Sequence, residues 1–444
     1  MKLTRITLDN YRNYAHTEFE FGKRLTVLVG KNGMGKTNLL LAITQALSFA
    51  FARKKDTIQA EFLASSDQKI KSFKGTDARY DDALQDYKYP INVEMNACLE
   101  PNEHSIHWSF QQDSSVSGLK YSLYEEANRE FWTRSLSAAG DIPLFSFYSD
   151  AFPHIRFSGK TKIQDKMDIG KPLPQNTAFY KWDDERNCAE VWEQYFIMLK
   201  KKADRNDDQE SRAYIDAVET IFRVFTHTEP DAPNADMEVR CFSLRARVGG
   251  GDSLVVEFAN GRSQMFEELP QGYKRLFSII FDLACRAYLL NKNCNPSGVT
   301  IIDEIELHLH LAMQQDVLER LLNTFPRMQF IVSTHAPMVL SNLQQDESHK
   351  LYLLQRTNDV YEHVLLGSYV YGEDINAIAK IIMGVSERTI EAQRLIDNVQ
   401  EAINSKDVIM AKERLKELQS KVDVNNTAVI RLGGFIKRME IIGK

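Results

Sequence analysis

One glycine-rich segment constrains this chain more than any other feature: Gly30-Lys-Asn-Gly-Met-Gly-Lys-Thr37. It follows a short apolar run at 25–29 and precedes an apolar, helix-favouring run at 38–47. A strand, a glycine-rich turn and a helix in this order form a cradle in which backbone N–H groups and the helix N-terminus bind phosphate oxygens. We therefore expect ATP here, with Lys36 on its β- and γ-phosphates and the Thr37 hydroxyl on Mg²⁺. The nucleotide-binding residues predicted from the segment are Asn32, Gly33, Gly35, Lys36, Thr37 and Asn38.

Two later apolar runs end in residues that suit phosphate chemistry. The run at 299–302 is followed by Asp303 and Glu304, and the run at 330–332 leads through Ser and Thr to His335. We expect Asp303 to bind Mg²⁺ and Glu304 to order or deprotonate the attacking water. We expect His335 to sense the γ-phosphate, because its strand follows the acidic strand by the length of one crossover helix. The alternative for His335 is a structural histidine at a strand end.

Composition narrows the class of protein. The 444 residues are 43% hydrophobic and 26% charged, which is typical of a globular chain of two or three domains. With a net charge of -6, any contact with nucleic acid must come from a local basic patch. No run approaches the roughly 18 apolar residues of a membrane helix, and no signal peptide is evident. The five cysteines are scattered without a CxxC pair, so we predict reduced thiols in a cytoplasmic protein with no membrane partner.

The remaining patterns predict an α/β fold with a mostly parallel sheet and helices on its faces. Helices are expected at 184–226, at 273–290 and repeatedly from about 385 onward, where apolar residues recur at helical spacing. All four tryptophans fall between 100 and 195, which predicts a separate apolar cluster in that part of the chain. Alternating runs separated by two turns predict a three-stranded antiparallel meander at 239–247, 253–258 and 262–266.

The start of the predicted helix at 273–290 carries a fourth motif, Leu269-Pro-Gln-Gly-Tyr-Lys274. It resembles the Leu-Ser-Gly-Gly-Gln signature of ABC-type ATPases. In that family the signature of one subunit covers the γ-phosphate bound by the other, so the resemblance implies that Gln271 and Gly272 contact ATP across a homodimer. Pro270 stands at the serine position and offers neither a hydroxyl nor an N–H. The sequence therefore leaves open whether hydrolysis is efficient.

The order of these motifs is similar to that in ABC-type ATPase heads of the RecF, SMC and OLD class. The segment at 10–14 looks like RecF, which implies that Arg12 lies near the adenine or a phosphate; the alternative is a plain strand end. By analogy with OLD-like proteins, His308 and His310 belong to a loop at the dimer interface rather than to a metal site. The segments at 272–275 and 371–376 look like the PtuA-type ATPases of Septu and retron antiphage systems.

The resemblance implies an ABC-type P-loop ATPase head, with a mixed sheet, an antiparallel β-subdomain, a large insertion and a C-terminal helical tail. The implied boundaries are 1–60 and 236–370 for the two parts of the head, 61–235 for the insertion and 371–444 for the helical region. The apolar stripes of this last region predict either a helical hairpin that packs on itself or a surface that docks a partner or further copies of the chain. The signature implies a homodimer, and docking through this region would give a higher oligomer.

Missing nuclease motifs shape the functional hypothesis. No D-x-D pair follows the last head motif, and no HNH-like cluster of His and Asn is present. The resemblance therefore implies a regulatory ATPase of an antiphage complex, whose partner is a separate HNH nuclease or a retron reverse transcriptase with its DNA. Two alternatives stay open: a RecF-like DNA-repair ATPase that binds DNA and loads repair factors, and a non-hydrolysing nucleotide-gated scaffold. Basic residues at 53–55 and 69–74 would contact nucleic acid or form a solvated surface.

Overall fold

The computed structural model describes residues 1–444 except for a set of short segments. Those segments are 53–61, 64–67, 101–102, 123, 138–139, 152–172, 185–188, 207, 230–234, 249, 358–359, 367–370, 385–388, 424 and 443–444. The basic residues 53–55 therefore lie outside the described residues. None of the described helices combines the length and hydropathy that crossing a membrane requires.

The strands and helices are numbered in chain order. The strands are β1 (Lys2–Tyr11), β2 (Tyr14–Glu20), β3 (Leu25–Val29), β4 (Arg79–Asp81), β5 (Asp86–Lys88), β6 (Ile91–Leu99), β7 (His104–Gln112), β8 (Lys120–Ser122), β9 (Leu144–Tyr148), β10 (Val239–Ala246), β11 (Asp252–Phe258), β12 (Ser263–Met265), β13 (Gly298–Ile302), β14 (Met328–Thr334), β15 (His349–Thr357) and β16 (Val360–Leu365). The α-helices are α1 (Lys36–Leu47), α2 (Tyr124–Ser135), α3 (Ala189–Asn206), α4 (Gln209–Thr226), α5 (Gln271–Asn291), α6 (Leu311–Thr324), α7 (Pro337–Leu340), α8 (Ile375–Met383), α9 (Ile390–Asn404), α10 (Val408–Lys421) and α11 (Thr427–Ile442).

A six-stranded sheet organises the predicted motifs. Its order is β16-β15-β3-β14-β13-β9, with every neighbouring pair parallel except β15 and β16. All residues of β3, β9, β13 and β14 are buried, as expected of strands covered on both faces. The phosphate loop (residues 30–37), the Asp303–Glu304 pair and His335 follow β3, β13 and β14, so they meet at one sheet edge. The predicted α/β class with a mostly parallel sheet is confirmed.

Three antiparallel sheets accompany the central one in the described residues, the smallest being the pair β4-β5. A five-stranded sheet has the order β2-β1-β6-β7-β8, with β1 paired to both β2 and β6. The predicted meander is confirmed as β10-β11-β12. The helical stretch predicted at 184–226 forms two helices, α3 and α4.

The tryptophans do not form a separate cluster, so that expectation is wrong. Trp108 stacks on Phe49 with ring centroids 3.9 Å apart, and its Nε1 donates to the Ala46 carbonyl at 2.9 Å. Trp132 Nε1 donates to the Ala50 carbonyl at 2.7 Å. These partners belong to the end of α1 and the 3-10 turn after it. The reason is the pairing of β6 with β1, which brings the middle of the chain onto the core beside α1.

The C-terminal residues form a compact unit of their own. The chain divides into unit 1 at 1–375 and unit 2 at 376–444. Helices α9, α10 and α11 confirm the helical pattern predicted from 385 onward. Their shared core contains Leu395, Val399, Leu418 and Leu432, among other apolar side chains. Unit 2 therefore has a hydrophobic core independent of the nucleotide-binding residues.

Replacing Gly434 by alanine should stabilise unit 2. Gly434 lies inside α11, and a Cβ built there meets no atom within 4 Å. Alanine should raise the free energy of unfolding of this unit by about 0.5–1 kcal/mol, because glycine in a helix loses more backbone entropy on folding. Urea denaturation followed by circular dichroism would measure the change. A decrease in stability would show that this helix face contacts something in the folded protein.

Candidate nucleotide-binding site

The phosphate loop depends on glycine at two crowded positions. Gly30 has φ +153°, and a Cβ there would lie 2.5 Å from the Leu354 carbonyl oxygen. Gly35 has φ +93° and precedes the first turn of α1, where a Cβ would lie 2.3 Å from Asn13 Nδ2. Both positions exclude a side chain by conformation and by space. The loop consequently presents its backbone and the N-terminus of α1 towards the sheet edge, as phosphate binding requires.

Lys36 is held within this loop. Its Nζ donates to the carbonyls of Gly30 at 2.6 Å and Lys31 at 3.1 Å. Burial lowers the pKa of Lys36, while Asp303 and Glu304 act in the opposite direction. The ammonium group therefore lies at the loop within electrostatic reach of the acidic pair. Its contact with phosphates stays a prediction.

The two predicted Mg²⁺ ligands are in direct contact. Thr37 Oγ1 donates to Asp303 Oδ2 at 2.7 Å, and Ser333 Oγ donates to the other carboxylate oxygen. Asp303 is 2% exposed, so these contacts fix its orientation. Mg²⁺ in nucleotide sites takes one or two protein oxygens and completes its octahedron with phosphates and water. A hydroxyl and a carboxylate that meet at the end of the phosphate loop fit this requirement.

Glu304 has an unusual backbone conformation. Its φ is +49°, a region that non-glycine residues occupy at a cost of about 1–3 kcal/mol. The Glu304 N–H donates to Ser333 Oγ at 2.9 Å, which supports this conformation. Partial burial raises the pKa of the Glu304 carboxyl, and His335, whose Nδ1 lies 4.0 Å from Oε1, opposes that shift. A raised pKa makes the Glu304 carboxylate a stronger base towards the attacking water.

Arg12 lies beside the start of α1 and already has partners. Its Nη1 donates to Asn38 Oδ1 at 3.0 Å, and its Nη2 lies 2.8 Å from Asp77 Oδ1. Asn38 Nδ2 in turn donates to Asn13 Oδ1 at 2.6 Å. Asp77, from a short 3-10 turn at 75–77, was not anticipated because no motif marks it. Arg12 is thus near the phosphate loop, and its contact with nucleotide stays a prediction.

Gly272 of the signature contacts the residues that follow β13. Gln271 and Gly272 begin α5. A Cβ at Gly272 would lie 2.2 Å from the His308 carbonyl oxygen, so α5 packs tightly on the acidic turn (residues 303–309). His310 Nδ1 accepts the Ala312 N–H at 3.4 Å and caps α6. The contacts of Gly272 are therefore with the acidic turn, and its predicted role across a dimer stays open.

Replacing Gly272 by alanine should disturb this packing. The new methyl group would meet backbone atoms, so either α5 or the acidic turn must move. We expect the free energy of unfolding to fall by about 1–3 kcal/mol, as for other overpacked sites. Chemical denaturation would measure the loss. An unchanged stability would mean that the two segments separate readily in solution.

Arg275 is a buried residue whose role the sequence did not predict. It is 1% exposed, and its guanidinium donates to the carbonyls of Asp303 at 2.8 Å, Glu304 at 2.9 Å and Ser149 at 3.2 Å. Burial lowers the pKa of Arg275 to about 10, against the opposing effect of nearby carboxylates. Arg275 therefore ties α5 to the ends of β13 and β9. Its position three residues after the signature glycine is the sequence feature that could have indicated this role.

The predicted basic surface is partly neutralised. Lys71 Nζ lies 2.7 Å from Asp183 Oδ2, so this lysine forms an ion pair within the protein. Lys69 and Lys74 are exposed. A contact between these two lysines and nucleic acid stays a prediction.

Replacing Glu193 by glutamine should change how stability depends on pH. Burial of Glu193 on α3, with a smaller contribution from Glu267, raises its pKa from 4.5 to about 7, while Arg247 and Lys274 oppose the shift. Because the folded-state pKa is raised, the unfolded chain ionises first, and stability is lost as pH rises through about 7. The glutamine variant should be more stable than wild type by about 1–3 kcal/mol at pH 8 and equal at pH 4. Urea titrations at both pH values, with Glu126→Gln, an exposed glutamate on α2, as control, would test this.

The family assignment follows from this geometry and from the sequence. The phosphate loop, the acidic turn and the His335 strand define a P-loop ATPase head. The RecF/RecN/SMC N-terminal domain family matches residues 2–358. The chain belongs to this family.

Two relatives extend over most of the chain. The "Retron Vc95 probable ATPase" of Vibrio cholerae serotype O1 biovar El Tor is 24% identical over 390 residues, which cover 78% of this chain and 73% of the relative. The "Retron Ec83 probable ATPase" of Escherichia coli is 26% identical over 408 residues, covering 80% of this chain and 72% of the relative. The resemblance to retron ATPases is confirmed.

Other similarities are shorter or more distant. The Septu protein PtuA of Bacillus mycoides is 32% identical over 107 residues, 22% of this chain and 15% of that protein. The RecF protein of the same organism is 32% identical over 115 residues, 26% of this chain and 28% of RecF. The SMC head domain from Thermotoga maritima covers 83% of this chain and 100% of its own, at 14% identity and a TM-score of 0.43.

Proposed function

We propose that this chain is an ATP-hydrolysing regulatory subunit of an antiphage defence complex, in which ATP-dependent pairing of two heads controls a separate nuclease. One observation carries the proposal: Lys36, Thr37, Asp303 and Glu304 converge at one edge of the central sheet. The names of the two long relatives support the setting in defence. In this proposal the ATPase head consists of residues 1–60 and 236–370. Residues 61–235 form its insertion, and residues 371–444 form the C-terminal helical region.

The chemistry of the site supports phosphoryl transfer to water. Mg²⁺ bound by Thr37 and Asp303 would neutralise charge on the β- and γ-phosphates. Lys36 would bind the same phosphates from the loop, and Glu304 would orient or deprotonate the attacking water. His335 would contact the γ-phosphate from the neighbouring strand. Such sites act by positioning and by electrostatic stabilisation, which suits residues fixed at the ends of buried strands.

Unit 2 supports a docking role. Among its described residues, four isoleucines are widely exposed: Ile390 at 87%, Ile409 at 75%, Ile441 at 75% and Ile430 at 61%. Exposed apolar side chains mark an interaction surface where they form one contiguous patch, which the docking role requires of these residues. We propose that this unit docks the partner, an HNH-type nuclease or a reverse transcriptase with its DNA, or further copies of the chain.

Native purification of the tagged chain, expressed with its own neighbouring genes, would test the proposal. We expect a stoichiometric HNH-type nuclease, or a reverse transcriptase with its DNA, in the eluate by mass spectrometry. We also expect ATP turnover by the purified complex, which Lys36→Ala should abolish. Elution alone, or with replication and repair factors, would overturn the defence assignment.

A RecF-like repair function is the second candidate, favoured by the match to RecF over about a quarter of the chain. It predicts ATP turnover that DNA stimulates without any nuclease partner. Turnover of the purified chain with and without duplex DNA separates the two functions. Stimulation by DNA alone would favour the RecF-like reading.

A further inference from the structure

Glu306 is a buried carboxylate to which the proposed reaction assigns no role. It is 5% exposed. Its Oε1 accepts the backbone N–H of His335 at 2.7 Å and lies 3.0 Å from Nδ1 of the same residue. Its Oε2 is buried and accepts no hydrogen bond from the described residues. Burying a carboxylate with one oxygen unsatisfied is costly, so its retention needs an explanation.

We propose that Glu306 is the positioning residue of His335: it holds the Nδ1 side of the imidazole and thereby presents Nε2 to the γ-phosphate. The inference rests on the ATP hydrolysis proposed above. An imidazole has two distinct nitrogens, and the partner of one decides what the other can do. With Nδ1 facing Glu306, and Glu304 4.0 Å away on the same side, Nε2 is the nitrogen left for a ligand.

The acidic turn delivers Glu306 to this position rigidly. The Ile305 N–H donates to the Ser333 carbonyl at 3.1 Å, which ties the turn to the end of β14. Within the turn, the Leu307 N–H donates to the Glu304 carbonyl at 3.0 Å and the Leu309 N–H to the Glu306 carbonyl at 2.9 Å. The carboxylate thus contacts both the backbone and the ring of His335 from a fixed backbone. The contact with the ring is electrostatic, because Nδ1 of His335 is buried beside the carboxylate but makes no hydrogen bond of good geometry with the described residues.

A structural role for Glu306 makes a different prediction. Burial lowers the pKa values of Lys36 and Arg275, and the charge of Glu306 partly offsets this lowering. Glu306 therefore also acts as a counter-charge for two buried cations. If this were its whole purpose, Glu306→Gln would lower stability, and its effect on turnover would not depend on His335. Positioning requires that the effect does depend on His335.

A double-mutant cycle separates the two roles. We expect Glu306→Gln to lower kcat about tenfold with ATP affinity within about twofold of wild type, because the substitution removes the negative charge beside Nδ1 of His335 and keeps the size of the side chain. In a His335→Ala background the same substitution should change kcat by less than about twofold. Equal losses in both backgrounds would overturn the proposal. Glu319→Gln, an exposed glutamate on α6, is the matched control.

A spectroscopic measurement keeps the test independent of turnover. In full-length protein with ¹⁵N-labelled histidines, the His335 ring signals, assigned by their loss in His335→Ala, should show a proton on Nδ1. Glu306→Gln should shift the proton towards Nε2. Identical ring signals in both proteins would overturn the inference. Absence of turnover in wild type would instead refute the proposed hydrolysis, while the ring signals would still decide the role of Glu306.

Discussion

Replacing Lys36 by alanine is expected to remove ATP binding. The ammonium would donate charge-assisted hydrogen bonds to two phosphates, each worth about 1.5–3 kcal/mol. Losing both should weaken ATP affinity by at least about 100-fold. Calorimetric titration of the purified chain with Mg-ATP would measure the loss. Lys31→Ala is the matched control, because Lys31 lies in the same loop with an exposed side chain and should bind ATP nearly as wild type does.

The fold should survive the Lys36 substitution. Burial lowers the pKa of Lys36, so in the folded protein the charged form is disfavoured relative to the unfolded chain. Alanine also removes the hydrogen bonds from Nζ to the Gly30 and Lys31 carbonyls, so the free energy of unfolding measured without nucleotide should fall by no more than about 1–3 kcal/mol. ATP affinity within about threefold of wild type in the Lys36→Ala protein would contradict the phosphate-binding role of this loop.

Replacing Glu304 by glutamine should stop turnover and leave ATP binding intact. Glutamine keeps the size of the side chain but cannot take a proton from water. We expect kcat to fall by about 10²–10⁴-fold. Two heads with bound ATP should then accumulate as a dimer, measurable by light scattering with Mg-ATP. Glu362→Gln on β16, an exposed glutamate, serves as the control. Unchanged dimerisation together with unchanged turnover would remove Glu304 from the mechanism.

The pH dependence of turnover offers a related check. Because burial raises the pKa of Glu304, its base form should be lost at a higher pH than for an ordinary glutamate, whose pKa is about 4.3. The rate should therefore decline on the acid side while other exposed carboxylates are still ionised. A pH-rate profile at saturating ATP would give the pH at which the rate declines. A rate independent of pH down to about 4 would contradict proton transfer to Glu304.

Local sequence pattern determined much of this protein. The glycine-rich segment after a buried strand predicted the phosphate loop, and the acidic pair and His335 after two further buried strands placed three motifs at one sheet edge. The meander and the C-terminal helices followed from periods of two and 3.6 residues. These features can be predicted from the sequence because each depends on residues adjacent in the chain, or on the rule that parallel strands have their carboxyl ends at the same sheet edge.

The tertiary structure alone decided which distant residues meet. Arg12 pairs with Asp77, 65 residues away, and Arg275 reaches the carbonyls of Asp303 and Glu304. Trp108 and Trp132 pack on the end of α1 and the turn after it, and β9 joins the central sheet beside β13. Neither spacing nor composition encodes such contacts, because they depend on how sheets pair and helices pack. Burial then shifts pKa values and leaves groups such as Glu306 with one oxygen unsatisfied, so these properties arise only in the folded chain.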